Sequence, residues 1–120
     1  MTFKEWKEII TSNCKSIGTY QDHFIPVIDT LASILENRDI THKQWVLEGS
    51  EPVVIHVNKA GEPNPVKNPL LVLENDLNSL AMTYWREMCL TAKSFKEAKN
   101  VANESTKVGA FEKILEEMSK

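Results

Sequence analysis

The sequence predicts a small, mainly α-helical domain, and three observations lead to this class. Apolar residues recur at three- and four-residue spacing in several separate stretches, which is the period of a helix face. One short stretch between them is rich in β-branched residues and is followed by turn formers and prolines, which indicates an inserted β-ribbon. With 120 residues, 42% hydrophobic and 26% charged, the chain fits one domain of ordinary globular composition.

The first predicted helix follows Thr2, a residue type that caps helix N-termini. Glu5 stands three residues later and completes a capping box, and Gly18 ends the helix. The apolar stripe of this helix is Phe3, Trp6, Ile10, Cys14 and Ile17. Away from the stripe lies a basic edge formed by Lys4, Lys7 and Lys15. We interpret this edge as a solvated outer face, with contact to DNA phosphates as the alternative.

The second predicted helix has a longer apolar stripe, formed by Tyr20, Phe24, Val27, Ile28, Leu31, Ile34 and Leu35. Pro26 predicts either a late start of this helix or a kink in its first turns. After Asn37 the apolar residues stand among polar ones without a helical period, so the pattern no longer indicates a helix before Gly49.

A β-ribbon is predicted at residues 52–66. Its first arm, Pro52–Val57, is rich in β-branched residues, and Asn58–Gly61 has the composition of a turn. The return arm, Glu62–Val66, contains two prolines, which restricts it to an edge strand or an extended loop. We expect this ribbon to project from the domain or to pack on a neighbouring subunit.

A long central helix organises the predicted fold. Asn68 is its N-cap, and Pro69 occupies the first turn, where a missing N–H costs nothing. The apolar stripe of this helix is Leu73, Leu77, Leu80, Ala81, Tyr84, Trp85 and Met88. We expect the stripe to pair antiparallel with that of the second helix and so form the core. Four of its residues are assigned to the core or to a subunit interface: Leu77, Leu80, Tyr84 and Trp85.

Two shorter helices are predicted behind the central one. Thr91 caps the first, which continues to about Asn103, and a polar joint follows. The second is an amphipathic tail whose apolar residues are Phe111, Ile114, Leu115 and Met118. Because so short a helix is marginal alone, it needs a docking surface, either on a partner protein or on another subunit. The predicted organisation is a helical core domain at residues 1–108 and a C-terminal helix at residues 109–120.

The charge distribution argues against nucleic-acid binding by bulk electrostatics. Lys and Arg number 14 against 17 Asp and Glu, for a formal net charge of −3. The balance is uneven along the chain, since residues 91–107 carry four lysines and two glutamates, whereas residues 19–51 carry six acidic and two basic side chains. Any surface that binds nucleic acid must therefore be local.

No sequence pattern typical of catalysis or of metal binding is present. His23, His42 and His56 are scattered, the four glycines are isolated, and no nucleophile elbow occurs. We therefore predict a protein that is not an enzyme and has no cofactor or metal. Cys14 and Cys89 are isolated as well, which is typical of buried thiols in a reducing cytoplasm, and no apolar run is long enough to span a membrane. We expect a soluble, intracellular protein.

One stretch of the sequence resembles the small terminase subunits of tailed bacteriophages. It consists of Lys67-Asn68-Pro69-Leu70, a long helix, and then Trp85-Arg86-Glu87-Met88-Cys89-Leu90-Thr91-Ala92-Lys93-Ser94. In that family an Asn-Pro opens the central helix, and a Leu-Gly-Leu-Thr-Pro-type turn with a following basic residue closes it. The resemblance covers residues 3–100 in layout and residues 67–96 in motif.

Three positions depart from the family pattern. Cys89 stands where the family usually has glycine, and Ala92 stands where it usually has proline. At the basic position after Ser94, this chain has Phe95 followed by Lys96. These departures concern individual DNA contacts and leave the similarity in layout intact.

The resemblance implies a non-catalytic DNA-packaging factor in the host cell cytoplasm. Such a factor recognises double-stranded viral DNA, forms a ring-like homo-oligomer and delivers the DNA to the large terminase subunit, which carries the ATPase and nuclease. A weak basic patch repeated around a ring binds by avidity in spite of a negative net charge. The side chains expected to contact phosphate are Lys93, Lys96, Lys99, Arg86 and Lys67. For Lys93, Lys96 and Lys99, the alternative interpretation is that they form a solvated flank of a helix.

A helical adaptor that joins proteins without binding DNA is the alternative function. In that case the C-terminal helix would lie in a groove of a partner protein. Salt-dependent association with DNA, which follows from phosphate contacts, would then be absent.

Overall fold

The structure, a computed structural model, describes residues 1–101 and Met118. It confirms the predicted class, a mainly helical fold with an inserted antiparallel ribbon. The elements in chain order are helix α1 (Phe3–Ile17), a 3₁₀ turn (Asp22–Phe24), helix α2 (Ile25–Leu47), strands β1 (Val53–Val57) and β2 (Pro63–Lys67), and helix α3 (Pro69–Glu87). A further helix, α4, begins at residue 92 and is described as far as residue 101.

The chain divides into two compact units. The first is Met1–Tyr84, and the second begins at Trp85, in the last turn of α3. The domain boundary predicted at residue 108 lies outside the described residues, and so do most of the apolar residues of the predicted tail helix, namely Phe111, Ile114 and Leu115.

Helix α1 begins and ends as the sequence predicted. The Thr2 hydroxyl oxygen accepts a hydrogen bond from the Glu5 amide at 3.2 Å and also bonds to the Glu5 carboxylate. At the other end Gly18 adopts the left-handed conformation, with φ of 80°. The amides of Gly18 and Thr19 donate to carbonyls near the helix end, which makes a Schellman motif. The cap and the motif satisfy backbone groups that would otherwise lack partners.

Helix α2 is longer than the sequence predicted. Pro26 lies in its first turn, in agreement with the late-start alternative, but the helix continues past Asn37 to Leu47. Thr41 is buried in the added part, where its hydroxyl donates to the Asn37 carbonyl at 2.7 Å. No glycine or proline stands between Pro26 and Gly49. Local helix propensity therefore remains favourable after the apolar period lapses, and the expected end of the helix was wrong.

The buried core lies between α1 and α2. A short connection makes these helices antiparallel neighbours, as is usual for sequential helices. Their buried apolar side chains are Ile10, Cys14, Ile28, Leu31, Ala32, Ile34 and Leu35. Within α3, Ala81 is the buried residue, whereas Leu73 and Leu80 are 47% and 46% exposed. The expectation that α2 and α3 form the core is therefore wrong, because α1 covers the apolar face of α2.

Asp39 joins α2 to the start of the chain by polar contacts. Its carboxylate accepts a hydrogen bond from the Trp6 indole N–H at 2.7 Å and lies 3.1 Å from the Arg38 guanidinium. The Met1 ammonium is 3.2 Å away. Burial alone would raise the pKa of Asp39, but these donors outweigh it and hold the pKa below its ordinary value.

Strands β1 and β2 form the antiparallel ribbon that the sequence predicted. Ile55 stands opposite Pro65 at the middle of the ribbon. In the turn, the side-chain oxygen of Asn58 accepts hydrogen bonds from the amides of Ala60 and Glu62 at 3.0 and 2.9 Å. Asn58 therefore fixes the conformation of the turn, and the turn fixes the register in which β1 pairs with β2.

Candidate nucleic-acid interface

The segment that carries the family resemblance begins at Asn68, which is buried. Its side-chain oxygen accepts a hydrogen bond from the Leu70 amide at 3.0 Å, as expected of an N-cap followed by Pro69. Its side-chain amide donates to the Glu51 carbonyl at 2.8 Å, and its backbone N–H donates to the Pro52 carbonyl at 2.9 Å. One residue thus starts α3 and attaches it to the segment that enters the ribbon.

Helix α3 ends at a turn in which Cys89 has φ of 59°. This left-handed conformation is uncommon for residues other than glycine. The amides of Cys89 and Leu90 donate to the carbonyls of Arg86 and Trp85 at 3.0 and 2.8 Å. The turn is a Schellman motif of the kind that ends α1 at Gly18. Cys89 therefore occupies a position whose backbone conformation favours glycine.

Helix α4 follows the turn directly and is capped as the sequence predicted. The Thr91 hydroxyl oxygen accepts a hydrogen bond from the Ser94 amide at 3.2 Å. In return the Ser94 hydroxyl lies 3.3 Å from the Thr91 amide, and the two hydroxyl groups also contact each other. This reciprocal cap satisfies amides at the helix start and orients α4 immediately after the turn.

Lys93, Lys96 and Lys99 lie on α4, and all three are exposed. Their spacing of three residues spreads them over about 120° of the helix circumference. Glu97 is the acidic residue among them, and Lys99 Nζ lies 5.8 Å from the centre of the Phe95 ring. Over its described length, α4 thus carries a net positive surface open to solvent.

The other two residues predicted to bind DNA are divided between the two units. Arg86 is exposed in the last turn of α3 and belongs to the unit that contains the α4 lysines. Lys67 is exposed at the end of β2 and belongs to the first unit. The second unit therefore contains four of the five predicted phosphate contacts.

The alternative basic edge, on α1, makes contacts within the first unit. Lys7 Nζ lies 2.9 Å from a carboxylate oxygen of Asp29, and Lys15 Nζ lies 4.8 Å from the centre of the Tyr20 ring. Two of the three lysines of this edge thus have partners other than phosphate.

The α3 residues assigned to the core or to a subunit interface are partly covered. Leu80 is 46% exposed, and Leu77, Tyr84 and Trp85 are of intermediate exposure. Leu73 precedes Leu80 by two helical turns and is equally exposed, so the two lie on one side of α3. Exposed apolar residues grouped on one side of a helix in this way are typical of a surface that another protein covers.

One contact between α2 and α3 was not found by sequence reasoning. His42 Nδ1 lies 2.9 Å from a carboxylate oxygen of Glu74, whose side chain is only 15% exposed. Glu74 directly follows Leu73 at the margin of the apolar stripe. A carboxylate that becomes buried at such a margin needs a hydrogen-bonding or charged partner, so its position is a signal in the sequence. The partner could not be identified because His42 lies in the part of α2 that was not predicted to be helical.

Titratable and metal-binding side chains give no other site. Within the described residues, no group of three or more His, Cys, Asp or Glu side chains could hold a metal ion. Burial raises the pKa of the Cys14 thiol more than its contact with Thr19 lowers it. Cys89 is also a free thiol and is half-buried. None of the helices described in residues 1–101 is long and apolar enough to cross a membrane.

Comparison with known proteins does not identify a family. No protein-family model matches the sequence, and neither the curated proteins nor the solved structures give a significant match. A proposal for function must therefore rest on the motif and on the geometry of the residues that form it.

Proposed function

We propose that this protein is the small terminase subunit of a tailed bacteriophage. In this role it is a non-catalytic, homo-oligomeric factor that binds double-stranded viral DNA and delivers it to the large terminase subunit in the host cytoplasm. The observation that carries the proposal is the left-handed turn at Cys89, between the long helix α3 and the capped helix α4. The family pattern has glycine at this position, and glycine is the residue that such a turn favours. The Asn68-Pro69 start of α3 supports the same assignment.

The charges on α4 support contact with DNA phosphates. Lys93 lies in the first turn of the helix, where the backbone N–H groups already create positive potential, and Lys96 follows in the second turn. Cations are unfavourable there unless an anion is bound, and phosphate is an anion that helix N-termini accept. Lys99 and Arg86 add positive charge within the same unit. Such contacts would hold the protein on DNA without reading its sequence.

The apolar stripe of α3 supports assembly into an oligomer. Leu73 and Leu80 are each almost half exposed, and covering them with another subunit would remove apolar surface from water. Repetition of the α4 patch around an assembly would also explain how a chain of net charge −3 binds DNA, since several weak contacts act together.

The proposal predicts that the lysines of α4 determine the salt dependence of DNA binding. We would replace Lys93, Lys96 and Lys99 by Ala and measure the affinity for a double-stranded DNA fragment by fluorescence anisotropy at several salt concentrations. Each lost phosphate contact reduces the slope of log K against log salt by about 0.9, so we expect the slope to fall by about 2–3. The affinity should fall to a similar extent for unrelated DNA sequences.

A matched control is available on α1. The triple replacement of Lys4, Lys7 and Lys15 by Ala removes the same number of charges and should leave the slope unchanged. A reduced slope in this control together with an unchanged slope in the α4 variant would assign the DNA surface to α1. If the wild-type protein shows no salt-dependent binding, the terminase proposal fails and the protein-joining adaptor becomes the preferred function.

A further inference from the structure

We infer that β1 is an open sheet edge that pairs antiparallel with β1 of a second copy of this chain. The product is a four-stranded sheet with a two-fold axis at Ile55. This inference rests on the ribbon alone, within the first unit, and does not depend on the proposed function.

The hydrogen-bond pattern of the ribbon determines which backbone groups point outward. The Asn58 amide donates to the Glu62 carbonyl at 3.0 Å, and at the other end the Asn68 amide donates to the Pro52 carbonyl at 2.9 Å. Hydrogen-bonded and non-hydrogen-bonded pairs alternate between these limits. The even-numbered residues of β1 therefore bond to β2, and the odd-numbered residues direct their N–H and C=O groups away from it.

The two edges of the ribbon differ in what they offer another strand. Pro63 and Pro65 occupy outward-facing positions of β2 and have no N–H, so that edge is blocked. The outward-facing positions of β1 are Val53, Ile55 and Val57, which retain both N–H and C=O groups. Within the described part of the chain these groups have no hydrogen-bond partner. The ribbon therefore has one open edge.

The side chains on the open edge are also suited to pairing. Val53, Ile55 and Val57 share one face of the ribbon and are 49%, 64% and 60% exposed. All three are β-branched, the type that stabilises cross-strand contacts in a sheet. An exposed apolar edge of this kind is a template for strand addition.

The sequence of β1 is complementary to itself in the antiparallel direction. Pairing about Ile55 places Val53 opposite Val57 of the second copy. The same register brings Glu51, which precedes β1, near the turn of the second copy that contains Lys59, at both ends of the strand pair, and both side chains are exposed. Opposite charges across a strand pair are favourable, whereas a slipped register would separate them. The symmetry and the charges together favour a second copy over an unrelated peptide.

The pairing would also stop at two copies of the chain. Hydrogen-bonded pairs form at Val53, Ile55 and Val57, and each exchanges two N–H···O=C bonds. The outer edges of the resulting sheet are both β2, whose prolines lack donors. Strand addition therefore ends at two copies and does not continue into a fibre.

Disulfide cross-linking tests the two-fold contact at the residue on its axis. We would introduce Ile55→Cys together with Cys89→Ser, so that the buried Cys14 is the remaining native thiol, and oxidise the protein. The proposed pairing brings the two Cα atoms at residue 55 to about 5.5 Å, within the range of a disulfide. We expect a covalent dimer on a non-reducing gel. Lys67→Cys in the same background is the matched control, because it lies on the same face at the blocked edge and should not cross-link.

Two further sets of substitutions, each added to the Ile55→Cys variant, test whether the cross-link forms in the proposed register. The N–H of Val57 points away from β2, so Val57→Pro removes a donor of the proposed contact without removing a bond of the ribbon. Val57→Pro should therefore abolish the cross-link, whereas Val57→Thr should preserve it. Glu51→Lys and Lys59→Glu should each lower the initial rate of cross-linking, and the double replacement should restore it. A yield at Ile55→Cys no higher than at Lys67→Cys would overturn the inference, as would a double replacement that remains as slow as either single one.

Discussion

Cys89 has a backbone conformation that favours glycine over a residue with a side chain. Its φ of 59° places a side chain in the left-handed region, which costs about 1–2 kcal/mol for a residue with a Cβ atom. Glycine avoids this cost but loses more conformational entropy on folding. We therefore predict that Cys89→Gly raises the free energy of unfolding by about 0.5–1 kcal/mol in urea melts followed by circular dichroism.

Cys89→Ala is the control for this prediction. It removes the thiol, retains the Cβ atom and so should bring no comparable gain. Equal effects of the two substitutions would mean that the thiol, and not the backbone, determines stability at this turn. The correspondence between this turn and the glycine of the terminase pattern would then lose its physical basis.

Asp39 makes the stability of the α1–α2 pair depend on pH. Its pKa is lowered in the folded state, so its contribution is present above the pKa of the unfolded chain, about 3.9, and is lost as pH falls through the folded value. We predict that Asp39→Asn lowers the free energy of unfolding by about 1–3 kcal/mol at pH 7, since it weakens hydrogen bonds from Trp6 and Arg38.

The difference between the two proteins should begin to shrink below about pH 4, where Asp39 of the unfolded wild-type chain starts to bind a proton while the folded carboxylate, whose pKa is lower, is still charged. Urea melts of both proteins between pH 3 and pH 7, at about half-unit intervals, measure this difference. Parallel stability curves over the whole range would contradict the role given to Asp39.

At the scale of the elements, capping residues predicted the starts of the helices well. Thr2, Asn68 and Thr91 each accept the hydrogen bond expected of an N-cap. Gly18 and Gly49 were correctly assigned to helix or segment ends, and both have positive φ. These signals are local, so a single sequence contains what is needed to read them.

Packing partners were harder to predict, because an apolar stripe indicates a face suited to burial but does not identify the element that covers it. The stripes of α1, α2 and α3 were all recognised, yet α2 was assigned to the wrong neighbour. The extension of α2 to Leu47 was missed for a related reason. The residues of this extension are compatible with a helix, but their apolar side chains do not recur at helical spacing. The burial of Thr41 there depends on tertiary structure.

The candidate site was predictable in part. The three lysines of α4 and Arg86 were identified from sequence and are exposed, whereas their placement in a different unit from Lys67 depends on the fold. The open edge of β1 was not identified, because it follows from the hydrogen-bond phase of the ribbon. Only the positions of Pro63 and Pro65 hint at that phase in the sequence.

Leu31 and Leu80 test where the core lies. Leu31 is fully buried, so Leu31→Ala should lower the free energy of unfolding by about 2–5 kcal/mol. Leu80 is 46% exposed in the single chain, so Leu80→Ala should cost the monomer less than about 1 kcal/mol. Urea melts at low protein concentration measure both values, and equal losses would contradict the assignment of the core to α1 and α2.

At the scale of the whole molecule, the proposals require two kinds of contact between copies. A ring formed through α3 would use different surfaces on each neighbour, whereas the β1 contact uses the same surface twice. An assembly that contains both, with every β1 edge paired, must have an even number of subunits. The proposed function needs assembly and DNA binding, but it does not depend on that number.

The central claim is that this protein assembles and binds DNA through local basic patches. Its most direct test is the mass in solution by light scattering, with and without a double-stranded DNA fragment, at low and high salt. We predict a discrete assembly of several subunits that takes up DNA at low salt and releases it at high salt. A monomer at every concentration, with no uptake of DNA at low salt, would contradict the claim.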